Sequence, residues 1–157
     1  MATITGRMAN LVSRYVPGLG RYGTRRQVEQ FRASKGAKGN SFRGMPAFLL
    51  DVVGRSSGEP RPVMLMLVRR GDDLLVCGSN GGNPVAPNWY ENLMAAGGGH
   101  VEVGPDRWEV TARELDDGPE RDDCWQLLVA GYPDFASYQE LTDRTLPVVV
   151  LERVDEA

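Results

Sequence analysis

The chain has little of what metal and acid–base chemistry commonly uses. It has one histidine, His100, and two cysteines, Cys77 and Cys124, which lie 47 residues apart. A single histidine excludes a multi-histidine metal site and leaves only one candidate base for a serine or cysteine triad. Two cysteines at this spacing form no CxxC pair, and isolated thiols in apolar stretches are typical of a reducing cytoplasm. We therefore expect no metal site and a cytoplasmic location.

Long hydrophobic runs are also absent. No segment reaches the roughly 18 apolar residues of a membrane-spanning helix, and the first 15 residues lack the pattern of a signal peptide. The apolar residues near the N-terminus instead recur at the spacing of one helix face: Met8, Leu11, Val12, Tyr15 and Val16. This pattern fits an anchor on an anionic membrane surface or a helix packed on its own domain. We therefore separate residues 1–23, an amphipathic N-terminal helix, from a domain at residues 24–157.

Charge is distributed unevenly along the 157 residues. Residues 1–70 contain 13 basic and three acidic side chains, whereas residues 71–157 contain five basic and 18 acidic ones, for a net charge of −3. This asymmetry indicates either an anionic partner for the first half or halves that neutralise each other in the fold. Aromatic residues do not alternate with the basic ones as a base-stacking surface requires, so we expect no nucleic-acid partner.

Six segments have the pattern of short strands, and most are joined by turns of hairpin length. They lie near residues 47–53, 61–70, 74–79, 101–103, 108–114 and 146–151. Helices are predicted at about 24–34, after Pro87, after Pro119 and after Pro133. Hairpin-linked strands with inserted helices predict an α+β fold whose sheet is mainly antiparallel, and about six strands can close into a small barrel.

Two glycine-rich segments carry groups that bind anions. The turn at residues 54–61 combines Arg55 and Arg61 with the hydroxyls of Ser56 and Ser57, and guanidinium and hydroxyl groups are good phosphate ligands. The segment at residues 79–82 lies between a strand and a helix N-terminus, where backbone N–H groups can hold a ring or a phosphate. Solvated arginines and a plain connection remain the alternatives for these two segments.

Six short segments occur in the order and spacing of one known family. They are Gly54-Arg55-Ser56-Ser57-Gly58-x-Pro60-Arg61, Ser79-Asn80-Gly81-Gly82-x-Pro84, Pro87-Asn88-Trp89-Tyr90-x-Asn92-Leu93, Val110-Thr111-Ala112-Arg113, Tyr132-Pro133-x-Phe135-x-x-Tyr138 and Thr142-Asp143-Arg144-Thr145-x-Pro147-Val148-x-Val150-Leu151-Glu152. Each segment alone is weak. As an ordered set, from about residue 27 to the end, they resemble the deazaflavin-dependent nitroreductase family of actinobacteria. The resemblance implies a split β-barrel with peripheral helices.

The resemblance also implies an activity. It implies an oxidoreductase in which reduced coenzyme F420, an 8-hydroxy-5-deazaflavin with a phosphate and an oligoglutamate tail, gives a hydride to a small planar electron-poor acceptor. A quinone, an activated alkene or a nitroaromatic compound fits that description. The cofactor then carries the chemistry, and the protein positions it and shapes the substrate pocket. Two alternatives stay open at this point: the same barrel with FMN, and a non-catalytic relative that binds a ligand.

The same resemblance assigns residues to roles. The implied cofactor-binding residues are Arg55, Ser56, Ser57, Arg61, Val63, Met64, Leu65, Ser79, Asn80, Gly81, Gly82, Asn88 and Trp89. The arginines and Ser57 would hold the phosphate and tail, and residues 63–65 would lie along the ring. The implied catalytic residues are Ser79, Tyr132 and Tyr138, and the substrate would contact Tyr132, Phe135 and Tyr138.

Three positions depart from the family pattern. Ser56 and Asn80 stand where many or some members have lysine, which removes two positive charges from the tail site. Lys35, Lys38 and Arg43 on the preceding loop are candidates to replace them. Phe135 stands where some relatives have a tyrosine, so the proton for the acceptor would come from Ser79, Tyr132, Tyr138 or water.

Overall fold

The computed structural model describes residues 17–155, with side chains described from residue 25 onward. In this part of the chain the strands are β1 (Ser41–Phe42), β2 (Met45–Val53), β3 (Pro60–Met66), β4 (Arg69–Arg70), β5 (Asp73–Cys77), β6 (Gly98–Val103), β7 (Asp106–Glu114) and β8 (Val148–Arg153). The helices are α1 (Pro17–Ala33), α2 (Asn88–Ala96), α3 (Pro119–Gly131) and α4 (Asp134–Glu140), with a 3₁₀ turn at Asn80–Gly82. The predicted α+β split barrel of mainly antiparallel strands is confirmed.

The sheet runs in the order β1-β2-β6-β7-β8-β5-β4, and β3 pairs with β2 outside this path. The six long strands match the six predicted ones, but the segment predicted as one strand at 61–70 is interrupted. Leu67 N–H donates to the Pro46 carbonyl on the β2 side, whereas the Val68 carbonyl accepts from Leu75 N–H on the β5 side. The chain therefore passes from one half of the barrel to the other here, and β4 counts as a separate strand.

The first described helix begins earlier than its sequence pattern predicts. The prediction placed its start near Thr24, but α1 starts at Pro17, because proline suits the first turn of a helix, where its missing N–H has no helical partner. The helix is continuous across residues 23 and 24, and the apolar pattern predicted from Met8 to Val16 lies outside the described residues. No helix within residues 17–155 has both the length and the apolar character to cross a membrane.

Both faces of the central strands are buried, which explains their nearly continuous apolar sequence. In β2, Phe48 and Leu50 face the barrel interior, and Leu49 between them packs with Phe31 of α1. In β8, Val149 faces the interior, whereas Val148 packs in the cluster beneath α3 and α4. The barrel therefore has an inner core and two outer layers, one under α1 and one under the α3–α4 pair.

Three consecutive glycines join α2 to β6. Gly97 ends α2 in the left-handed conformation, with φ of 75°, as a helix C-cap requires. Gly98 lies so close to β7 that a Cβ atom would stand 2.2 Å from the carbonyl oxygen of Val110. The backbone of β7 therefore occupies the space that a side chain at position 98 would need.

Gly98→Ala should lower the free energy of unfolding by about 1–3 kcal/mol, the usual cost of overpacking against a group that cannot move aside. The obstacle is a sheet carbonyl, which cannot change rotamer as a side chain would. Urea unfolding followed by circular dichroism measures the change. An unchanged midpoint would show that β7 yields at no cost, contrary to the close packing seen here.

Candidate active site

A cavity of about 280 Å³ opens between the sheet and the α3–α4 pair. Its volume is close to the lower end of ligand pockets, roughly 300–1,000 Å³. Ten of the predicted site residues border it: Val63, Met64, Leu65, Ser79, Asn80, Gly81, Trp89, Tyr132, Phe135 and Tyr138. The other predicted residues lie outside it: Arg55, Ser56, Ser57, Arg61, Gly82 and Asn88. The remaining lining residues come mainly from β5 and from the β1–β2 turn.

The three consecutive β3 residues do not share a face. Val63 and Leu65 pack towards the barrel interior and stay half-buried beside the cavity. Met64 is 5% exposed, and its side chain packs with Phe31 beneath α1. Side chains alternate along a strand, so Met64 points away from Val63 and Leu65, although it also borders the cavity. The contact of all three residues with a cofactor ring stays a prediction.

The loop after β5 is a tight turn of left-handed residues. Asn80, Gly81 and Gly82 have φ values of 45°, 63° and 81°. A Cβ atom on Gly82 would stand 2.7 Å from the carbonyl oxygen of Tyr138, so only glycine fits against α4. The Asn80 amide nitrogen donates to the Val85 carbonyl at 2.9 Å, and this bond closes the loop. Ser79 begins the turn, is 8% exposed, and does not cap the turn with its hydroxyl.

Arg144 holds this loop from behind. Its Nε donates to the Asn83 carbonyl at 2.9 Å, and its Nη2 donates to the carbonyls of Gly78 and Ser79 at 3.1 and 2.8 Å. One guanidinium thus satisfies three carbonyls that flank the cavity wall. The sequence marked Arg144 within a motif without giving it a role, because its partners are backbone groups about 60 residues away.

Arg144→Lys should loosen the loop while leaving the fold intact. Lysine keeps the charge but lacks the planar fork, so it cannot reach all three carbonyls at once. Loss of one charge-assisted hydrogen bond, about 1.5–3 kcal/mol, should speed amide exchange at Gly82 and Asn83 roughly tenfold or more. Hydrogen exchange by NMR measures this. Arg153→Lys, at an arginine that stacks on Trp108, is the matched control, and equal exchange in both variants would contradict the assignment.

The opposite wall is aromatic and carries two hydroxyls. The ring centroids of Tyr132 and Phe135 lie 5.0 Å apart, edge to face, and the Tyr132 and Tyr138 hydroxyl oxygens are 2.9 Å apart. Arg43, at the β1–β2 turn, reaches both hydroxyls. Its Nη1 donates to Tyr132 at 2.5 Å and also to Tyr138. The three polar groups form one cluster at the cavity mouth.

Burial and hydrogen bonding set the charge state of these groups. Burial raises the pKa of Tyr132, and the bond with Tyr138 adds to this effect, so Tyr132 keeps its proton at neutral pH. For Arg43, burial opposes the charge, but the contacts with the two tyrosines outweigh it and raise the pKa. Burial also raises the pKa of the Cys77 thiol to about 12, which leaves that cavity residue neutral. The cavity therefore contains the neutral hydroxyl of Tyr132, the neutral thiol of Cys77 and the positive charge of Arg43.

The turn at residues 54–61 forms a second, exposed cluster at the N-terminus of α2. The Arg55 backbone N–H and Nη1 both donate to Oδ1 of Asn92, at 3.1 and 2.7 Å. Arg55 also reaches Asn88 at the start of the helix, and Arg61 Nη2 donates to the Ser57 hydroxyl at 3.2 Å. Two guanidiniums, a hydroxyl and a helix N-terminus thus converge, which is a donor set suited to phosphate and carboxylate.

The loop that carries Lys35 and Lys38, which was expected to replace the two missing lysine charges of the tail site, lies away from the 54–61 turn. Gly36 packs against Gly104, which lies past Glu102, the β6 residue that pairs with Leu49, and therefore towards the Met45 end of β2. The 54–61 turn follows the other end of β2, roughly 20 Å of strand away. The structure therefore does not bring Lys35 or Lys38 to this turn. Arg43 is also at the far end of β2 and contacts the tyrosines instead.

Sequence reasoning missed Arg43 and Asn92 as parts of the two clusters. Asn92 belongs to the segment at residues 87–93 that carries part of the family resemblance, but its burial beneath Arg55 depends on the packing of α2. A signal for Arg43 existed in the Arg43-Gly44 dipeptide, since a glycine between two strand-like residues favours a two-residue hairpin turn. The glycine-rich, basic composition of residues 34–44 predicted a loop, so the short strand β1 and its turn were not predicted.

The chain is similar to known proteins over most of its length. The family model of F420H(2)-dependent quinone reductases matches residues 23–153. An F420H(2)-dependent quinone reductase of Mycobacterium tuberculosis is 36% identical over 126 residues, which is 78% of this chain and 85% of that protein. A solved F420-H2 dependent reductase is 40% identical, covers 68% of this chain and 94% of its own, and has a TM-score of 0.64.

A more distantly related structure shares the fold with this chain and carries no information about its function. A heme binding protein of Mycobacterium smegmatis is 14% identical over 80% of this chain and 49% of its own, with a TM-score of 0.52, which shows the fold alone. The family model, in contrast, covers most of the chain, including both clusters described above. The chain therefore belongs to the F420H(2)-dependent quinone reductase family.

Proposed function

We propose that this protein reduces a quinone, or a similarly planar electron-poor acceptor, within the cavity between β3 and the Tyr132–Tyr138 wall. As a member of its family the protein is an F420H2-dependent reductase, and the acceptor is the part that we add. The FMN alternative has no support from the comparisons. One observation carries the proposal: an apolar cavity has a cationic turn beyond one end and two tyrosine hydroxyls at the other.

The residues present fit the cofactor in the chemistry of their donors. F420 has a flat ring system and an anionic tail, so it needs an apolar slot followed by cations. Val63 and Leu65 offer the apolar surface, and β3 leads back from them to Arg61 at the 54–61 turn. Arg55, Ser57 and Arg61 would hold the phosphate and the tail, together with the Asn88 end of α2. Trp89 would border the slot.

When bound, reduced F420 supplies a hydride to an acceptor lying against it. The protein's own work is then to hold the acceptor flat and to deliver a proton. The aromatic wall of Tyr132, Phe135 and Tyr138 excludes water and packs against a planar ring. Tyr132 and Tyr138 carry hydroxyls that can donate, whereas Phe135 has none. Ser79, on the loop across the cavity, would orient the acceptor or the ring.

A contact with the membrane is a separate part of the proposal, together with the division of the chain into residues 1–23 and a domain at 24–157. The amphipathic pattern of the first segment supports a peripheral contact with an anionic membrane, which would bring the domain close to membrane-dissolved quinones. A quinone acceptor and a surface-bound enzyme are chemically consistent, because long-tailed quinones stay in the bilayer.

Cofactor titration followed by turnover tests the proposed function. Purified protein should quench or shift the fluorescence of F420 on binding, with no comparable binding of FMN or FAD. Reduced F420 should then be oxidised when menadione is added, and the rate should fall when the menadione is replaced by a saturated analogue. Absence of F420 binding would refute the cofactor assignment. Binding without oxidation by any quinone would refute the acceptor class.

A further inference from the structure

Arg43 occupies an unusual place in the backbone. Phe42 pairs with Met45, so Arg43 and Gly44 form a two-residue turn, with φ values of 50° and 78°. Positive φ at both positions is the type I′ turn, in which Asn-Gly is the preferred dipeptide. A long side chain at the first position is disfavoured, and residues in such conformations concentrate at binding sites. The position of Arg43 therefore calls for a reason outside the hairpin.

The guanidinium of Arg43 lies at the cavity without a counter-ion. Its Nη1 donates to both tyrosine hydroxyls, and its Cζ lies 5.3 Å from the centroid of the Phe42 ring. Within residues 25–155 it forms no ion pair and its Nε and Nη2 make no hydrogen bond, whereas Arg32 and Arg113 each contact two carboxylates. A guanidinium with free donors, fixed by two phenols at a cavity mouth, is suited to bind an oxyanion.

We propose that Arg43 binds the acceptor's carbonyl oxygen as it becomes negative, and that the cavity therefore also binds quinones that carry an oxyanion beside the carbonyl more tightly than neutral ones. This inference rests on the proposed function, because it concerns the substrate of that same cavity. A hydroxylated quinone that is ionised at neutral pH fits the class. Such a molecule presents an anionic oxygen beside the carbonyl before any reduction takes place.

The charge balance of quinone reduction explains why a cation is useful there. One hydride brings two electrons and one hydrogen to the quinone, the cofactor being oxidised, so that a neutral quinone gives a hydroquinone monoanion and a quinone that already carries an oxyanion gives a dianion. A single proton then completes the hydroquinone. Arg43 cannot supply this proton at neutral pH, since a guanidinium stays charged. It stabilises the anion while Tyr138 or Tyr132 donates, and water reprotonates the tyrosine.

A role in holding the cofactor's tail is the main competing assignment for Arg43. The β2 register argues against it, because the hairpin tip and the 54–61 turn lie at opposite ends of that strand. Arg43 also contacts two residues of the wall opposite β3. The charge of Arg43 therefore faces the side of the cavity that a substrate would occupy.

The test uses the turn geometry to remove the charge without harming the fold. Arg43→Asn creates the Asn-Gly dipeptide that a type I′ turn prefers, so the variant should unfold at the same or a higher temperature. Binding to cofactor-free protein is followed by quenching of tryptophan fluorescence, since Trp89 borders the cavity. The probes are 2-hydroxy-1,4-naphthoquinone, an anion at neutral pH, and neutral 1,4-naphthoquinone. Arg69→Asn, at an exposed arginine outside the cavity, is the control.

We expect Arg43→Asn to weaken binding of the anionic quinone about tenfold or more, and that of the neutral quinone less than about threefold. Arg43→Lys, which keeps the charge, should restore most of the anion affinity, and Arg69→Asn should change neither. Equal weakening of both probes, or no weakening of the anion, would overturn the proposal. The quinone-binding measurement needs no F420. If the unmodified protein showed no F420-dependent turnover, the proposed function would be refuted, but the binding result for Arg43 would still stand.

Discussion

Replacing both Arg55 and Arg61 with glutamine should lower the affinity for F420 about 100-fold or more. Each charge-assisted hydrogen bond to an anion contributes about 1.5–3 kcal/mol, and every 1.4 kcal/mol is a factor of ten in the dissociation constant. Arg61 is half exposed, with 52% of its side chain accessible, so water weakens its share and we take the lower end of that range. Arg55 is held by Asn92 and should contribute more.

Fluorescence titration of F420 against single and double variants measures this effect. The matched control is the double variant Lys35→Gln/Lys38→Gln, which removes the same charge from the opposite end of β2. A dissociation constant that is unchanged in the arginine variant but raised in the lysine variant would move the tail site to the α1–β1 loop. The loss should also shrink at high salt, because exposed charges are screened.

The sequence allowed the elements that determine the barrel to be predicted. Short apolar runs bounded by turn residues marked all six long strands, and helix starts followed from Pro87 and Pro119, which suit the first turn. These signals are local: they depend on residues within one turn or one hairpin. The predicted start of α1 was wrong for the same reason, since a proline such as Pro17, taken alone, indicates the end of one helix as readily as the beginning of another.

What the sequence did not predict depends on distant pairing. The interruption at Leu67 and Val68 arises because β3 and β4 pair with strands in different halves of the barrel, and nothing in the local pattern marks that change. Arg144 and Arg43 are similar cases. The first binds carbonyls about 60 residues away and the second binds tyrosines about 90 residues away. Such partners become visible only when the fold brings them together.

The candidate site was predicted as two groups of residues, one for the cofactor tail and one for the substrate. Ten predicted residues border the cavity, and the structure places the cationic turn and the hydroxyl wall in separate clusters. The resemblance supplied the residue types, and the register of β2 supplied their order along the cavity. That order is what separates Arg61, beside the proposed tail site, from Arg43, beside the proposed acceptor.

The second large effect concerns the two tyrosines. The double variant Tyr132→Phe/Tyr138→Phe should reduce turnover of menadione about 100-fold, the usual contribution of a positioned general acid, while F420 affinity changes less than about threefold. Each single variant should lose less than tenfold. The hydroxyls are 2.9 Å apart and share Arg43, so either one can donate when the other is missing. The reduction in menadione turnover should therefore be larger in the double variant than the product of the two single-variant reductions.

Steady-state kinetics with reduced F420 separates this role from a purely structural one. Tyr90→Phe is the matched control, because the Tyr90 hydroxyl bonds to Glu114 outside the cavity and should leave turnover unchanged. Adding Phe135→Tyr to the double variant should recover part of the rate, since that ring lies 5.0 Å from the Tyr132 ring and returns one hydroxyl to the wall. If the double variant turned over menadione at the normal rate, the proton would have to come from Ser79 or water. The hydroxyl wall would then serve only to hold Arg43 in place.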